Sequence, residues 1–144
     1  GEIVIDGVPQ RYRSVSDAFQ AGVIGLVDSL ADELPYWIEG PNGPHLVIPY
    51  SYETNDNRFN ENSGFSTADQ FFHYMRDAFD TLYDEGRRGS PKLLSIGLHD
   101  RLIGRPGRSP GLARLLDHMR NHDRVWFCRG IDIARHWHAH FTPA

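Results

Sequence analysis

His99 is the residue in this sequence best placed to do chemistry. It follows directly on the apolar run Leu93, Leu94, Ile96 and Leu98. A buried strand there would hold its backbone while its ring faces outward, and an imidazole titrating near neutrality can give or take a proton. An ordinary hydrogen-bonded histidine is the competing reading, and spacing alone does not separate the two. Arg101, Arg105 and Arg108 share the loop that follows. Guanidinium groups there can hold a carboxylate or polarise a carbonyl by paired N–H donation, or simply tie the loop down. Glu53 and Asp56, in the polar stretch after Tyr50, can orient His99, bind a polar substrate or move protons. Solvated residues making Asx turns look the same in sequence. Trp37, within Leu34-Pro35-Tyr36-Trp37, can wall a pocket or belong to the core.

The remaining histidines and the cysteine point less clearly to a site. His118 and His122 are four apart, as are His136 and His140, so each pair can share a helix face as metal ligands. No HExxH motif accompanies them and Cys128 is remote, so they read as surface histidines near helix C-termini, where the dipole favours them. No metal site is assigned within this chain. Cys128, beside Phe127 in an expected strand, reads as a buried, inert thiol. Gly104-Arg105-Pro106-Gly107 lacks the lysine and spacing of a phosphate-cradling loop.

The elements that must position these residues are legible from Asp32 onward. Gly1–Gln10 can form a short hairpin, and Ser16–Leu30 is a poor helix broken by Gly22 and Gly25. Leu46-Val47-Ile48-Pro49-Tyr50 reads as a buried strand, with Pro49 marking its end or an edge. Thr67 and Gln70 predict a capping box, and Phe71, Phe72, Met75, Phe79 and Leu82 follow at helical spacing until Gly86 stops the helix. Lys92–Leu98 is the next expected strand. Ser109 then caps a helix with Pro110 first and Leu112, Leu115, Leu116 and Met119 on its buried face. Val125–Cys128 is a third expected strand and Ile131–Phe141 a third helix. This alternation implies an α/β fold of parallel strands with right-handed crossover helices. Ligands bind at the carboxyl ends of such strands, so the 50s loop, His99 to Arg101, and Arg129 should converge on one rim.

Bulk properties narrow the class. The chain has 144 residues, 40% hydrophobic and 12% aromatic, enough for one domain with a core. A formal charge of −4 without any basic run argues against nucleic acid or anionic membrane as partner. Apolar runs of about half a dozen residues fall short of the ~20 that cross a bilayer. The first residues carry neither a basic n-region nor an apolar h-region, and the single cysteine fits a reducing compartment. The expectation is a soluble, cytoplasmic protein acting on a small molecule.

The run Ser95-Ile96-Gly97-Leu98-His99-Asp100-Arg101-Leu102-Ile103-Gly104-Arg105-Pro106-Gly107-Arg108 resembles the last motif of allantoinase-type polysaccharide deacetylases. So do Asp32 to Trp37, Ile48 to Phe59, and Arg129 to Trp137, together covering about residues 28 to 138 in the family's order. The resemblance implies that residues 28–144 are the C-terminal portion of a distorted β/α barrel hydrolysing an amide C–N bond. Residues 1–27 match poorly. In the allantoinase branch the substrate is a small cyclic ureide such as allantoin. His99 takes the place of the family's catalytic histidine, which protonates the departing nitrogen. Trp37 matches a pocket-lining tryptophan, and Tyr50, Glu53, Asn55 and Asp56 match a rim segment expected to contact substrate. Arg101 and Arg105 belong to the His99 motif. An N-deacetylase of amino-sugar polymers and a catalytically inactive remnant are the alternatives. The family's early motifs, which supply the water-activating acid and, in metal-dependent relatives, an Asp and two His, are not found. No cofactor is therefore assigned to this chain, and a divalent metal such as zinc enters only if those motifs are supplied.

A complete barrel of this kind takes ~250 residues, so part of one leaves strand edges unpaired. The chain is expected to self-associate, to pair with a complementing N-terminal half, or to fold poorly. Light scattering and thermal denaturation check this: a dilute monodisperse monomer with a sharp transition would contradict it.

Overall fold

The computed structural model describes residues 3–5, 8–10, 30, 32–40 and 43–143. The expected helix at Ser16–Leu30 lies almost wholly outside them. The N-terminal hairpin forms: β1 (Ile3–Ile5) pairs antiparallel with β2 (Val8–Gln10).

A second hairpin joins β3 (Tyr36–Gly40) to β4 (Gly43–Val47), with Tyr36 opposite Val47 and Gly40 opposite Gly43. This corrects the reading of Leu46–Tyr50 as a parallel strand. The apolar run does pair, but through its first residues and with a strand not read in the sequence. Ile48 and Pro49 are buried beyond the ladder, and Pro49 has no N–H to extend it.

Helix α1 (Ala68–Arg87) opens on the expected capping box: Gln70 N–H donates to Thr67 Oγ1 and Thr67 N–H to Gln70 Oε1. Gly86 does not stop it. The chain turns at Gly89, whose φ of 97° is the left-handed conformation that glycine adopts at little cost. The short α2 (Asp100–Ile103) follows His99, and α3 (Ser109–Arg120) has Arg108 at its cap position instead of Ser109. The last helix, α4, is Gly130–His140.

Lys92–Leu98 and Val125–Cys128, expected as strands, run without a ladder. Among the described residues the parallel sheet is reduced to one bridge, Asn55 to Gly97, and no barrel closes. A parallel strand needs neighbours to satisfy its N–H and C=O groups; Lys92–Leu98 meets Glu33 O through Leu93 N–H and the 50s segment through Gly97, bonds too isolated to make a ladder. Leu98, Trp126 and Phe127, on these segments, are exposed. No described helix is long and apolar enough to cross a membrane.

Two apolar clusters hold these pieces. In the larger, α1 supplies Phe71, Met75 and Phe79, α3 supplies Leu115 and Met119, and Phe59, Phe65 and Ile103 fill the space between. The smaller joins Leu46 and Ile48 to Ala134 of α4, with Trp37, Leu93, Ile133 and Trp137 around them. Leu115 is fully buried, so Leu115→Ala is expected to cost about 2–5 kcal/mol, read as a lower urea midpoint with the denaturation slope unchanged.

Candidate active site around His99

The site begins where two distant segments cross. Gly97 N–H donates to Thr54 O and Asp56 N–H to Gly97 O, both at 2.9 Å, while Thr54 Oγ1–H donates to Ser95 O at 2.6 Å. A Cβ at Gly97 would run into the Asn55 side chain, so this crossing needs glycine. Asn55 itself caps a 3-10 turn, Asp56–Asn60, by accepting from Asn57 N–H.

That turn places Asp56 against His99. Asp56 is completely buried, and its oxygens meet three donors. Oδ2 accepts from His99 N–H at 2.8 Å and from Ile103 N–H at 3.2 Å, and Oδ1 lies 2.7 Å from His99 Nδ1. A carboxylate only accepts, so the proton belongs on Nδ1 and the ring presents Nε2 as its working nitrogen. The His99 side chain is 35% exposed. His99 stands at the N-cap of α2 but makes no side-chain cap bond, which leaves the ring to Asp56.

The other expected residues are distributed around this pair. Glu53 accepts a 2.9 Å hydrogen bond from Tyr74 Oη–H, and both line a cavity of about 500 Å³ with Tyr50. Thr54 and Ser95 line it too, so the cavity adjoins the crossing, although neither His99 nor Asp56 is in its wall. Tyr74, under the Arg58 guanidinium at 4.3 Å, was not legible as a site residue. Arg101 and Arg105 are exposed, and Arg105 Nε–H donates to Arg101 O at 3.2 Å, tying the loop. Arg108 stacks its guanidinium 4.3 Å over Phe59. Trp37 is engaged elsewhere: its indole N–H donates to Phe141 O at 2.6 Å and His138 meets its ring edge-on.

Cys128 is exposed, not buried as expected. Partial burial and the nearby Asp132 still hold its thiol above the ordinary range, which disfavours the reactive thiolate. Arg129 forms a two-pronged pair with Asp132, at 2.9 and 3.0 Å, and this drives the Asp132 carboxyl down to about 2.

The Asp56–His99 pair does not by itself form a three-ligand metal group among the described residues. Such a group does occur on α1 and the end of α3, where Asp80, His118 and His122 come together.

No family model matches the chain. A protein of Schizosaccharomyces pombe, provisionally described as a polysaccharide deacetylase, is 41% identical over 121 residues, 78% of this chain and 38% of that protein. Two crystal structures are each 52% identical. One is a protein of Pseudomonas aeruginosa PAO1 with the same provisional description, at a TM-score of 0.77 over 81% of this chain and 39% of the other. The second is the PuuE allantoinase, at 0.81 over 85% and 41%. A Mycobacterium smegmatis structure, at 23% identity and a TM-score of 0.64, shares the fold alone. The chain thus spans about two fifths of the length of these relatives.

Asp56→Ala should leave the His99 N–H without its acceptor, a loss of about 1–3 kcal/mol for that group alone. The matching spectroscopic outcome is a His99 ring that no longer holds one tautomer in its ¹⁵N shifts. An unchanged ring spectrum would show that Asp56 does not set it.

Proposed function

Given the chain's kinship with the polysaccharide-deacetylase family, we propose that it carries the proton-donor side of a hydrolase site that cleaves an amide-type C–N bond. The observation that carries the reading is the buried Asp56 holding the half-buried ring of His99. Hydrolysis adds water oxygen to the carbonyl carbon and must deliver a proton to the departing nitrogen. His99 Nε2–H is the donor in this reading. Asp56, bonded to Nδ1, keeps the ring in one orientation and stabilises the imidazolium before transfer. Tyr50, Glu53 and Asn55 serve as substrate contacts, with Arg101 and Arg105 at the outer edge. Activation of the water falls to residues outside the matched span, on a complementing N-terminal half. Exposed Leu98, Trp126 and Phe127 offer apolar area for that association.

Within this chemistry, ring opening of a cyclic ureide such as allantoin is the preferred substrate reading. It is supported by the 52% identity to an allantoinase. N-deacetylation of an amino-sugar polymer is the second reading, favoured by the description of the Pseudomonas aeruginosa relative at the same identity.

In the complete assembly, His99→Ala is expected to lower turnover about 10²–10⁴-fold with the circular dichroism unchanged. Turnover equal to the parent's would remove His99 from the mechanism. Assay of allantoin beside an N-acetylated chito-oligosaccharide separates the two substrate readings.

A further inference from the structure

Away from His99, one group of side chains has the make-up of a metal centre. Asp80 lies on α1, His118 in the last turn of α3, and His122 just beyond that helix. All three are half-buried, and one donor atom from each lies within 4.8 Å of the others. His118 Nε2 is 2.6 Å from Asp80 Oδ1. His122 Nδ1 is 2.9 Å from the carbonyl oxygen of His118. A carbonyl only accepts, so the neutral His122 ring carries its proton on Nδ1 and its lone pair on Nε2. Metal-binding imidazoles are prepared in this way, by a hydrogen bond from the nitrogen that does not coordinate.

The surroundings fix the rings. Phe79 and Tyr83 meet His122 edge-on with centroids at 5.0 and 4.7 Å, and Phe79 meets His118 at 5.8 Å. Rings held before an ion arrives lose little freedom on binding it. An Asp80–His118 ion pair by itself would account for two of the residues. It does not account for a second imidazole brought alongside, its centroid 4.8 Å from the first, with the outer nitrogen already tied back.

We propose that Asp80, His118 and His122 bind one divalent cation of zinc's class. Two imidazole nitrogens and one carboxylate oxygen suit Zn²⁺, Co²⁺ or Ni²⁺ and leave a position for solvent, whereas Mg²⁺ and Ca²⁺ favour oxygen shells. In a neutral His118 the proton moves from Nε2 to Nδ1 as the ion enters, with no net release. The ion clamps the middle of α1 to the end of α3 beside the contact that forms the larger core. This site shares no residue with the His99 site and stands apart from the reading of it.

The test is titration of the full chain with ZnCl₂ by calorimetry and with CoCl₂ by visible absorption, helical content being followed by circular dichroism. One ion per chain is expected, with the absorption of four-coordinate Co²⁺ and a raised Tm. Asp80→Asn and His122→Gln should each weaken binding at least about tenfold with the helices intact. The double variant His136→Gln/His140→Gln, which removes the stacked histidine pair of α4, should bind as the parent does. Three outcomes overturn the proposal: undiminished affinity in the Asp80→Asn/His122→Gln double variant, uptake that follows His136 and His140 instead, or no uptake by a chain whose helices are formed.

Discussion

A carboxylate with no access to solvent organises the site. Burying Asp56 among apolar groups is costly unless its lone pairs are met, and here they are met by the ring and backbone of His99 and by Ile103 N–H. These bonds join segments 43 to 47 residues apart. They also fix direction: because the carboxylate accepts without donating, Nδ1 must face inward and Nε2 outward. One buried acceptor thus sets both the place of the histidine and the nitrogen that can act.

The core keeps Asp56 where it is. The 3-10 turn that carries Asp56 also carries Phe59, whose ring stacks on Phe71 of α1 at 5.9 Å and meets Phe65 edge-on at 5.5 Å. One side of the turn faces His99 while another belongs to the larger cluster. Ile103 works similarly on α2, donating its N–H to Asp56 and burying its side chain in the same cluster. Packing and hydrogen bonding therefore act on the same residues, and the glycine at 97 lets the two segments approach closely enough for both.

The crossing of Thr54–Asp56 with Ser95–Gly97 is the one place where the parallel arrangement expected of this chain forms among the described residues. Elsewhere, extended segments keep their apolar side chains uncovered, as at Trp126 and Phe127. A sheet is a relation between strands, and the chain spans two fifths of its relatives' length, so the neighbours that would complete it are not among the residues described.

Local features were legible because they depend on neighbours in sequence. The capping box at Thr67, the apolar face of α1 and the position of His99 after an apolar run follow from spacing of a few residues. The long motif around His99 also carried the family likeness. The hairpin partner of Gly43–Val47 was missed, since Tyr36–Gly40 lacks a clean alternation and pairing depends on which segment lies alongside. Asp80 was invisible as a companion of His118 and His122: periodicity shows which faces of α1 and α3 are apolar, but not which polar groups at the edges of those faces end up opposite each other. Trp37, read as a possible pocket wall, is held by Phe141 O, a partner 104 residues away. By itself the sequence determined the long helices α1, α3 and α4, the capping box at Thr67 and the residue types capable of chemistry, because these rest on local sterics and short hydrogen bonds. Only the tertiary structure decided that Asp56, and not Glu53, holds His99, because that choice depends on which carboxylate the packed core excludes from water.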